Sequence, residues 1–257
     1  MITNNKIDTK VKILLAAKTE FSLKGFAGAR TEDIAKNAGI NKAMLHYYFG
    51  NKEKLYHTIL HAVFHIQGRR LQKIFNQVEL PSAKYKLRFL LEFMGRYNHD
   101  CIDPEFHKII SWELAEGRQK FSILVNEYFL PRVKGITKLI EEGIKQGEFS
   151  TSSPMLYVMH IISFFNMYAI HRQVCIGTEL FDALYGSMDF KDFLSYTLNH
   201  FFKAITKEGE PVTVPKLPKN LQEELDEVIN YYRKNKNNQQ QIFHEALEEM
   251  ENSRGKL

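Results

Sequence analysis

The stretch from Thr31 to Phe49, TEDIAKNAGINKAMLHYYF, constrains the fold more than any other part of the sequence. Its apolar residues are spaced as in two short helices that cross at a steep angle and share one inner face. Ala35 is small at the point where the two helices come closest. Two such short helices need a third element to cover their inner face. That face consists of Ile34, Ile40, Leu45 and Tyr48.

The connection between the two short helices carries the residue types that a tight turn requires. Gly39 stands where a positive φ angle is cheap only for a residue without a Cβ atom. Asn41 follows as a good N-cap, because its side chain can accept a hydrogen bond from the backbone two or three residues on. The stretch is therefore predicted to be a helix-turn-helix with a polar side shaped to enter a DNA groove. An ordinary helical hairpin in a core is the alternative.

Charge is distributed unevenly along the chain. Residues 1–57 hold ten Lys or Arg against five Asp or Glu, which gives +5, the net charge of the whole chain. The remaining 200 residues hold 25 Lys or Arg and 25 Asp or Glu, so they carry no net charge. A basic N-terminal part on an otherwise neutral protein fits attraction of phosphate by one end of the molecule. Solvated lysines on helix surfaces are the simpler alternative.

The composition is that of a globular protein, with 44% apolar and 25% charged residues in a chain long enough for one large or two small domains. Two cysteines, Cys101 and Cys175, suit a reducing compartment better than a disulfide scaffold. The first ten residues lack the apolar core of a signal peptide. The most apolar run, residues 155–170, is too short to span a bilayer comfortably. We therefore expect a cytoplasmic location and no membrane contact.

The residues around the central stretch complete a small domain. Thr9 to Lys24 shows a helical period that ends at Gly25, and this helix would cover the inner face of the helix-turn-helix. Asn51 then caps a new helix. The predicted domain spans residues 1–51, and its core is expected to contain Phe21, Phe26 and Phe49.

These residues resemble the N-terminal DNA-binding domain of the tetracycline-repressor (TetR) family of bacterial transcription regulators. The similarity covers about fifty residues without a gap. In the recognition helix, His46 and Tyr48 stand where the family usually has Tyr and His. The shared pattern is Phe21-x3-Gly25-Phe26, then Thr31-x2-Ile34-Ala35-x2-Ala38-Gly39-Ile40-x4-Leu45-x2-Tyr48-Phe49-x2-Lys52-Glu53-x-Leu55.

The resemblance implies roles for individual residues on DNA. Lysine can donate to guanine O6 and N7, and Ala or Met can touch a thymine methyl group. Hydroxyl groups and lysine suit phosphate oxygens, which position a protein without reading sequence. Arg30 and Asn41 belong to the same predicted surface. Base edges are assigned to Lys42, Ala43, Met44 and His46, and phosphates to Thr31, Tyr47 and Lys52.

The rest of the chain is predicted to be helical, which makes the fold class all-α. Ser153-Pro154 marks a helix start, and Pro131 should kink or divide the helix that contains it. Residues 139–149, LIEEGIKQGEF, also resemble a segment that recurs in the C-terminal domains of the family. The predicted helices span residues 52–77, 82–98, 104–115, 119–146, 154–176 and 189–206.

Residues 52–206 are predicted to be a helical effector-binding and dimerisation domain. Helices 154–176 and 189–206 have wide apolar faces, more than one neighbour can cover. In the family, two helices at this place form a four-helix bundle with their copies, which implies a homodimer with recognition helices about 35 Å apart and a palindromic operator. The faces are Leu156, Met159, His160, Ile162, Ser163, Phe164, Met167 and Ile170 on one helix, and Phe190, Phe193, Leu194, Thr197, Leu198, Phe201 and Ile205 on the other.

A regulator of this class needs a cavity for an effector, and the aromatic and Met content indicates a small apolar or aromatic one. Polar or polarisable residues among apolar ones are the candidate lining, although for any one of them an ordinary core residue is the preferred interpretation. A ligand acts only by binding one state better than the other. The candidates are His99, Cys101, Phe106, His107, Trp112, Tyr128, Phe165, Asn166, Tyr168 and His171.

A metal-responsive regulator is an alternative, because His57, His61 and His65 recur at a spacing of four on one helix face. Two imidazoles at that spacing can hold Zn²⁺ with help from elsewhere, but three spread over about 12 Å of helix cannot all reach one ion easily. Histidines on a helix surface or against a neighbouring helix are the plainer interpretation. No metal or other cofactor is predicted.

Residues 207–257 are predicted to be a linker followed by two C-terminal amphipathic helices. They could dock on the rest of the chain, strengthen the dimer or recruit a partner, and docking is the expectation. The apolar residues are Leu221, Leu225, Val228, Ile229 and Tyr232 in the first, and Ile242, Phe243, Ala246, Leu247 and Met250 in the second.

Other classes of protein fit the sequence less well. An enzyme is not expected, because the chain has no phosphate-binding glycine loop, GxSxG turn or HExxH motif. A ligand carrier would have a helix-turn-helix only by accident. A non-specific architectural DNA binder would spread basic residues along most of its length. The prediction is a one-component, ligand-responsive regulator that binds an operator in double-stranded DNA, and the family resemblance implies a repressor.

Overall fold

The structure is a computed structural model, and it describes the backbone of residues 2–77, 80–116, 122, 125–236 and 239–254. Side chains are described for residues 8–64, 80–116, 122, 125–236 and 239–252. Within these ranges the chain forms α-helices, two π-helical turns and loops, and no strand. The predicted all-α fold class is confirmed.

The helices follow one another with short connections, and they are numbered in chain order. The N-terminal half contains α1 (Ile2–Gly28), α2 (Thr31–Asn37), α3 (Lys42–Phe49), α4 (Lys52–Gln77), α5 (Ala83–Asp100) and α6 (Pro104–Ala115). The C-terminal half contains α7 (Leu130–Lys145), α8 (Pro154–Cys175), α9 (Glu179–Phe181), α10 (Phe190–Ile205), α11 (Lys219–Asn235) and α12 (Gln240–Arg254).

Proline and capping residues set several of these boundaries. The predicted helices 52–77 and 104–115 have the observed bounds. Asp103 caps α6 by accepting from the Glu105 amide at 3.1 Å, and Pro104 takes the first helical position. Near Pro131 a π-helical turn, Val125–Phe129, gives way to α7, so the predicted interruption is confirmed. Most of residues 119–124 lie outside the described residues.

The chain divides into two compact units, each assembled from separate stretches of sequence. The N-terminal unit combines Met1–Gln72, Asp103–Phe129 and Lys234–Leu257. The central unit combines Lys73–Ile102 and Leu130–Arg233. These units describe packing, and the three functional segments 1–51, 52–206 and 207–257 stay a prediction.

The core of the N-terminal unit is built where α1 covers the helix-turn-helix. Ile34 and Leu45 are fully buried, as expected for its inner face, whereas Ile40 and Tyr48 are only half-buried. α1 is interrupted at Gly25, which has φ 67° and ψ 179°. Of the three phenylalanines predicted for this core, Phe21 and Phe49 are buried, and Phe26 is half-buried beside Tyr56 of α4.

Two further helices pack against α1 in this unit. The indole of Trp112 on α6 donates to the Ser22 carbonyl at 3.2 Å. From the C-terminal segment, α12 lies along α1 with Lys10 and Glu251 in an ion pair. The apolar side of α12 is buried at Ile242, Phe243, Ala246 and Leu247. The predicted docking of this amphipathic helix is confirmed.

The central unit has its own core, formed by α5, α7, α8 and α10. The Tyr157 hydroxyl donates to the Phe201 carbonyl at 2.8 Å within it. At the end of α7, Gly143 leaves room for the ring of Phe149, and Ala83 would lie 3.0 Å from a Cβ atom placed there. The buried residues of this core are Ala83, Leu87, Leu91, Ile140, Phe149, Tyr157, Val158, Ile161, Phe165, Leu198, Phe201, Phe202 and Ile205.

The first C-terminal amphipathic helix, α11, also docks as predicted, here within the central unit. Ion pairs of 2.5 Å join Arg96 to Asp226 and Asp100 to Arg233 at its edges. Its apolar face is buried at Leu221, Leu225, Val228, Ile229 and Tyr232.

The two faces predicted to form a subunit interface have different surroundings. On α8, the predicted apolar face is solvent-exposed in the single chain at Leu156, Met159, Phe164, Met167 and Ile170. On α10, the prediction was wrong for four residues, because they are buried in the core of their own unit. Those residues are Thr197, Leu198, Phe201 and Ile205, while Phe190, Phe193 and Leu194 are partly buried.

Candidate DNA-binding surface and effector cavity

The turn between α2 and α3 has the predicted geometry. Gly39 has φ 69°, in the region that favours glycine. Asn41 is extended, with φ −87° and ψ 160°, and its side chain accepts from the Met44 amide at 2.8 Å. The predicted N-cap is therefore present, and it fixes Lys42 as the first residue of α3.

The two sides of α3 differ sharply in exposure. Leu45 is fully buried and Phe49 nearly so, whereas Tyr47 is 75% exposed. Arg30, just before α2, is exposed, and Thr31 at its first position is half-buried. Lys52 is half-buried as well. The predicted base-contacting residues form one exposed face of α3: Lys42, Ala43, Met44 and His46.

Lys42 makes an ion pair with Glu32 of α2. The hydrogen bond from Lys42 holds the pKa of Glu32 at about 2, well below its ordinary value. Both side chains are at least half exposed, so the pair exchanges readily with solvent or another anion. Glu32 thus holds the ammonium group beside the exposed face of α3 until a competing acceptor takes it.

The ring of His46 has a defined orientation. Its Nδ1 lies 2.7 Å from the Gly50 carbonyl oxygen, which can only accept a hydrogen bond. Nδ1 therefore carries the proton, and in the neutral ring Nε2 is an acceptor. An outward acceptor suits an amino group on a base edge, such as adenine N6 or cytosine N4.

Lys52 has a structural role that the sequence did not reveal. Its ammonium group donates to the carbonyls of Phe26 and Ala29 at 2.8 and 3.0 Å, and it lies 4.5 Å from the centre of the Phe26 ring. Lysine thus satisfies carbonyl groups at the end of α1. The phosphate contact assigned to Lys52 stays a prediction beside this observed role.

The residues predicted to line an effector site fall into both units, so the structure does not assemble them in one place. In the N-terminal unit, Phe106 packs on Phe64 with ring centres 5.3 Å apart. Burial lowers the pKa of His107, and the negative charge of Asp103 partly offsets this by raising it. The members in this unit are Phe106, His107, Trp112 and Tyr128.

The six members in the central unit are also dispersed. Cys101 is buried, and its thiol lies 3.6 Å from the Ile229 carbonyl. Phe165 is part of the core, and Asn166 and His171 are exposed. Two of the six, His99 and Tyr168, line a cavity of about 190 Å³.

This cavity lies within the central unit, between the ends of α5 and α8, the segment containing α9, and the start of α10. The Tyr168 hydroxyl lies 2.7 Å from His99 Nδ1, and burial raises the pKa of Tyr168 to about 12. Arg172 donates to the His99 carbonyl at 3.2 Å. The full lining is His99, Tyr168, Arg172, Phe181, Tyr185, Met188, Phe190 and Phe193.

Six of these lining residues were missed from the sequence. Phe190 and Phe193 were assigned to a subunit interface because of their helical spacing. Phe181 and Tyr185 are spaced by four, and this spacing could have indicated that the two rings share one helix face. No local pattern around Arg172 indicates a binding site. The residues come from three separate stretches, and only the fold brings them together.

The histidine series on α4 is only partly described, because the side chain of His65 lies outside the described residues. His61 Nε2 lies 3.0 Å from both the Tyr128 hydroxyl and Glu127 Oε1. Among the side chains that the structure describes, no group of three or more His, Cys, Asp or Glu could hold a metal ion.

Within the described part of the chain, none of the helices combines the length and the apolar character needed to cross a lipid bilayer.

Comparison with known proteins connects this architecture to a family. The sequence model described as "Bacterial regulatory proteins, tetR family" matches residues 13–59. The HTH-type transcriptional regulator RutR of Escherichia coli strain K12 is 30% identical over 154 residues, which cover 59% of this chain and 69% of RutR. The HTH-type transcriptional repressor NicS of Pseudomonas putida is 35% identical over 105 residues, 41% of this chain and 48% of NicS.

Solved structures agree with the sequence relatives. A mutant of HlyIIR is 25% identical with a TM-score of 0.54, covering 79% of this chain and 100% of that chain. FadR from Bacillus subtilis, solved in complex with stearoyl-CoA, has a TM-score of 0.57 at 17% identity over 76% of this chain and 98% of that chain, and it shows the fold alone. The chain belongs to the tetR family of bacterial regulatory proteins, and it is a transcription regulator.

Proposed function

We propose that the protein is a one-component repressor that binds a palindromic operator as a homodimer and releases it when a small, apolar or aromatic effector binds. The observation that carries the proposal is the exposed face of α3. It begins at a fixed N-cap and presents Lys42, Met44 and His46 to solvent above a buried Leu45. A short helix with that arrangement fits the major groove, where amino, carbonyl and methyl groups of bases are read.

The phosphate contacts in the proposal surround this face. Thr31 lies at the first position of α2, where a hydroxyl group and the positive end of the helix favour an anion. Tyr47 is also exposed on α3 and can donate to a phosphate oxygen. Arg30 adds a positive charge before α2. These contacts would set the position of α3 on the duplex without reading its sequence.

The exposed apolar face of α8 supports the dimer in this proposal. Leu156, Met159 and Met167 are between 45% and 61% exposed, although they belong to one continuous helix face. Such a face is costly in water and is typical of a protein interface. A two-fold axis through α8 would give the dimer two recognition helices, and two helices about 35 Å apart require a palindromic operator.

Repression, a cytoplasmic location and the absence of an enzymatic activity are parts of the same proposal. NicS is named a transcriptional repressor, and the alignment with NicS extends beyond the helix-turn-helix. The curated relatives are named as regulators of transcription and not as enzymes. A cytosolic protein has direct access to bacterial DNA, and both cysteines are free thiols, as suits a reducing compartment.

The proposal is tested by selecting bound sequences from random duplex DNA with the wild-type protein, Lys42→Ala and Tyr47→Ala. We expect a palindrome with the wild type, a changed base preference with Lys42→Ala, and uniformly weaker binding with Tyr47→Ala. Lys138→Ala, which removes an exposed lysine of α7, is the control and should leave selection unchanged. The ratio of operator to random-DNA affinity, measured at a stated salt concentration, should be large. No enriched sequence would contradict the proposed function.

A further inference from the structure

The cavity of the central unit has a size that limits its ligand. Its volume is about 190 Å³, below the roughly 300–1,000 Å³ of pockets for drug-sized molecules. A single ring with one small substituent is the kind of molecule that such a space admits. A long acyl chain is too large for this volume.

The walls of the cavity favour a flat, apolar body. The rings of Tyr168 and Phe193 are stacked with centres 4.2 Å apart, and Phe190 lies beside His99 at the same distance. Tyr185 meets Tyr168 edge to face at 5.9 Å. Aromatic side chains that present both faces and edges bind another aromatic ring better than a saturated one.

Arg172 gives the cavity a positive charge. It is half-buried, and its Nη1 donates to the His99 carbonyl. Among the described side chains, no carboxylate lies within 4 Å of its guanidinium nitrogens, and a guanidinium has five N–H donors to satisfy. The nearby Asp100 is engaged by Arg233 at 2.5 Å. A partly desolvated guanidinium without a counter-ion is a site for a planar anion.

The same charge argues against the other ligand that aromatic walls commonly hold. Aromatic cages bind quaternary ammonium groups through the faces of their rings. A cation in this cavity would lie beside Arg172, which has no described carboxylate within 4 Å, and would be repelled by its charge. Arg172 therefore favours a negatively charged ligand, and a carboxylate can accept two parallel hydrogen bonds from a guanidinium.

We propose that this cavity binds a small aromatic carboxylate, with its ring among Tyr168, Tyr185, Phe190 and Phe193 and its carboxylate on Arg172. The inference rests on the proposed function, in which such a molecule is the effector. Both the binding site and its ligand class can be tested in the absence of DNA.

The first experiment is calorimetric titration of the full chain with benzoate and phenylacetate, compared with benzamide, cyclohexanecarboxylate and benzyltrimethylammonium. We expect one of the two aromatic carboxylates to bind at least about tenfold more tightly than the neutral, saturated and cationic compounds, because each of these lacks the charge or the flat ring. The inference is overturned if neither aromatic carboxylate binds at millimolar concentration. Equal or tighter binding of benzamide or of the cation would overturn it as well.

Variants locate the site. Arg172→Gln should weaken the bound carboxylate by at least about tenfold and reduce its preference over benzamide, because the charge-assisted bonds are lost. Tyr185→Leu, at the rim of the cavity, should weaken binding while keeping the preference for the carboxylate. Arg132→Gln on α7 is the matched control for loss of an arginine. Circular dichroism and melting temperature establish that each variant is folded, and unchanged affinity in a folded Arg172→Gln protein would overturn the inference.

The effector role is measured separately, as operator affinity with and without the bound carboxylate. Binding through Arg172 that leaves operator affinity unchanged would support the site but contradict its role as effector. Operator binding in a protein that takes no aromatic carboxylate would support the proposed function and overturn this inference. The two proposals therefore fail in distinguishable ways.

Discussion

Lys18 of α1 and Asp103 at the start of α6 form a buried ion pair. Nζ lies 2.6 Å from Oδ2, and the two side chains are 4% and 6% exposed. Oδ2 lacks the alignment of a hydrogen bond, so charge is the attraction at this contact. Lys18 also lies 3.1 Å from the half-exposed Glu105. The pair fixes the start of α6 against the helix that covers the helix-turn-helix.

We expect Asp103→Ala to lower the free energy of unfolding by about 3–5 kcal/mol, because it leaves the Lys18 charge buried without its main partner. The measurement is urea unfolding followed by circular dichroism. Asp189→Ala is the matched control, since Asp189 also caps a helix by accepting from an amide at 3.1 Å but is exposed. Loss of that cap alone should cost about 0.5–2 kcal/mol. Equal losses in the two variants would contradict a special role for the buried charges.

Two glycines of α7 should respond to alanine with opposite signs. A Cβ atom at Gly143 would overlap the ring of Phe149 and lie 3.0 Å from Ala83, whereas one at Gly135 meets nothing within 4 Å. Gly143→Ala is therefore expected to destabilise the protein by about 1–3 kcal/mol. Gly135→Ala should stabilise it by about 1 kcal/mol, because alanine is the better helix former. Thermal unfolding of both variants checks this, and a stabilising Gly143→Ala would contradict the close approach.

Lys52 should matter for folding even without DNA. Lys52→Met keeps most of the aliphatic stem but removes the donors to the Phe26 and Ala29 carbonyls. We expect a loss of about 1.5–3 kcal/mol in the free energy of unfolding, as for hydrogen bonds made by a charged group. The exposed Lys54 gives the control, because Lys54→Met should change stability little. If the two variants were equally stable, Lys52 would have no such structural role.

His107 should make stability depend on pH. Burial lowers its pKa in the folded protein below the ordinary 6.5, so the unfolded chain takes up the proton first as pH falls. Its contribution is therefore present above pH 6.5 and is lost as pH falls through the folded-state pKa, with a slope of at most about 1.4 kcal/mol per pH unit for one proton.

The measurement for His107 is the difference in unfolding free energy between pH 7.5 and pH 5.5. His107→Gln should reduce that difference relative to the wild type, whereas His200→Gln, at an exposed position, should not. An unchanged pH dependence in His107→Gln would contradict the effect of burial.

Local spacing made the helix-turn-helix predictable. Gly39 and Asn41 act through their own backbone and the next few residues, so their roles needed no knowledge of the fold. The same holds for Pro104, because a proline after a capping aspartate starts a helix wherever it stands. These features depend on contacts within one or two helical turns.

What could not be predicted depends on contacts distant in sequence. The apolar pattern of α10 shows that one face avoids water. The same pattern is typical of both a subunit interface and an internal core, and the structure places Leu198 and Phe201 in the core. The sequence predicted only a phosphate contact for Lys52, from its charge. Its hydrogen bonds to the chain could not be predicted, because the acceptors lie 26 and 23 residues earlier. The cavity could not be predicted either, because Arg172 and Tyr185 both line it only through the path of the chain that connects them.

The composition of the two units has a consequence for biosynthesis. The chain passes between them after residues 72, 102, 129 and 233, so neither unit corresponds to one continuous coding segment. A ribosome delivers α1 more than 200 residues before α12, which packs along it. At 5–20 residues per second that interval is on the order of ten seconds or longer. The nascent DNA-binding segment therefore spends this time without α12, and it reaches its complete packing only after that helix has been translated.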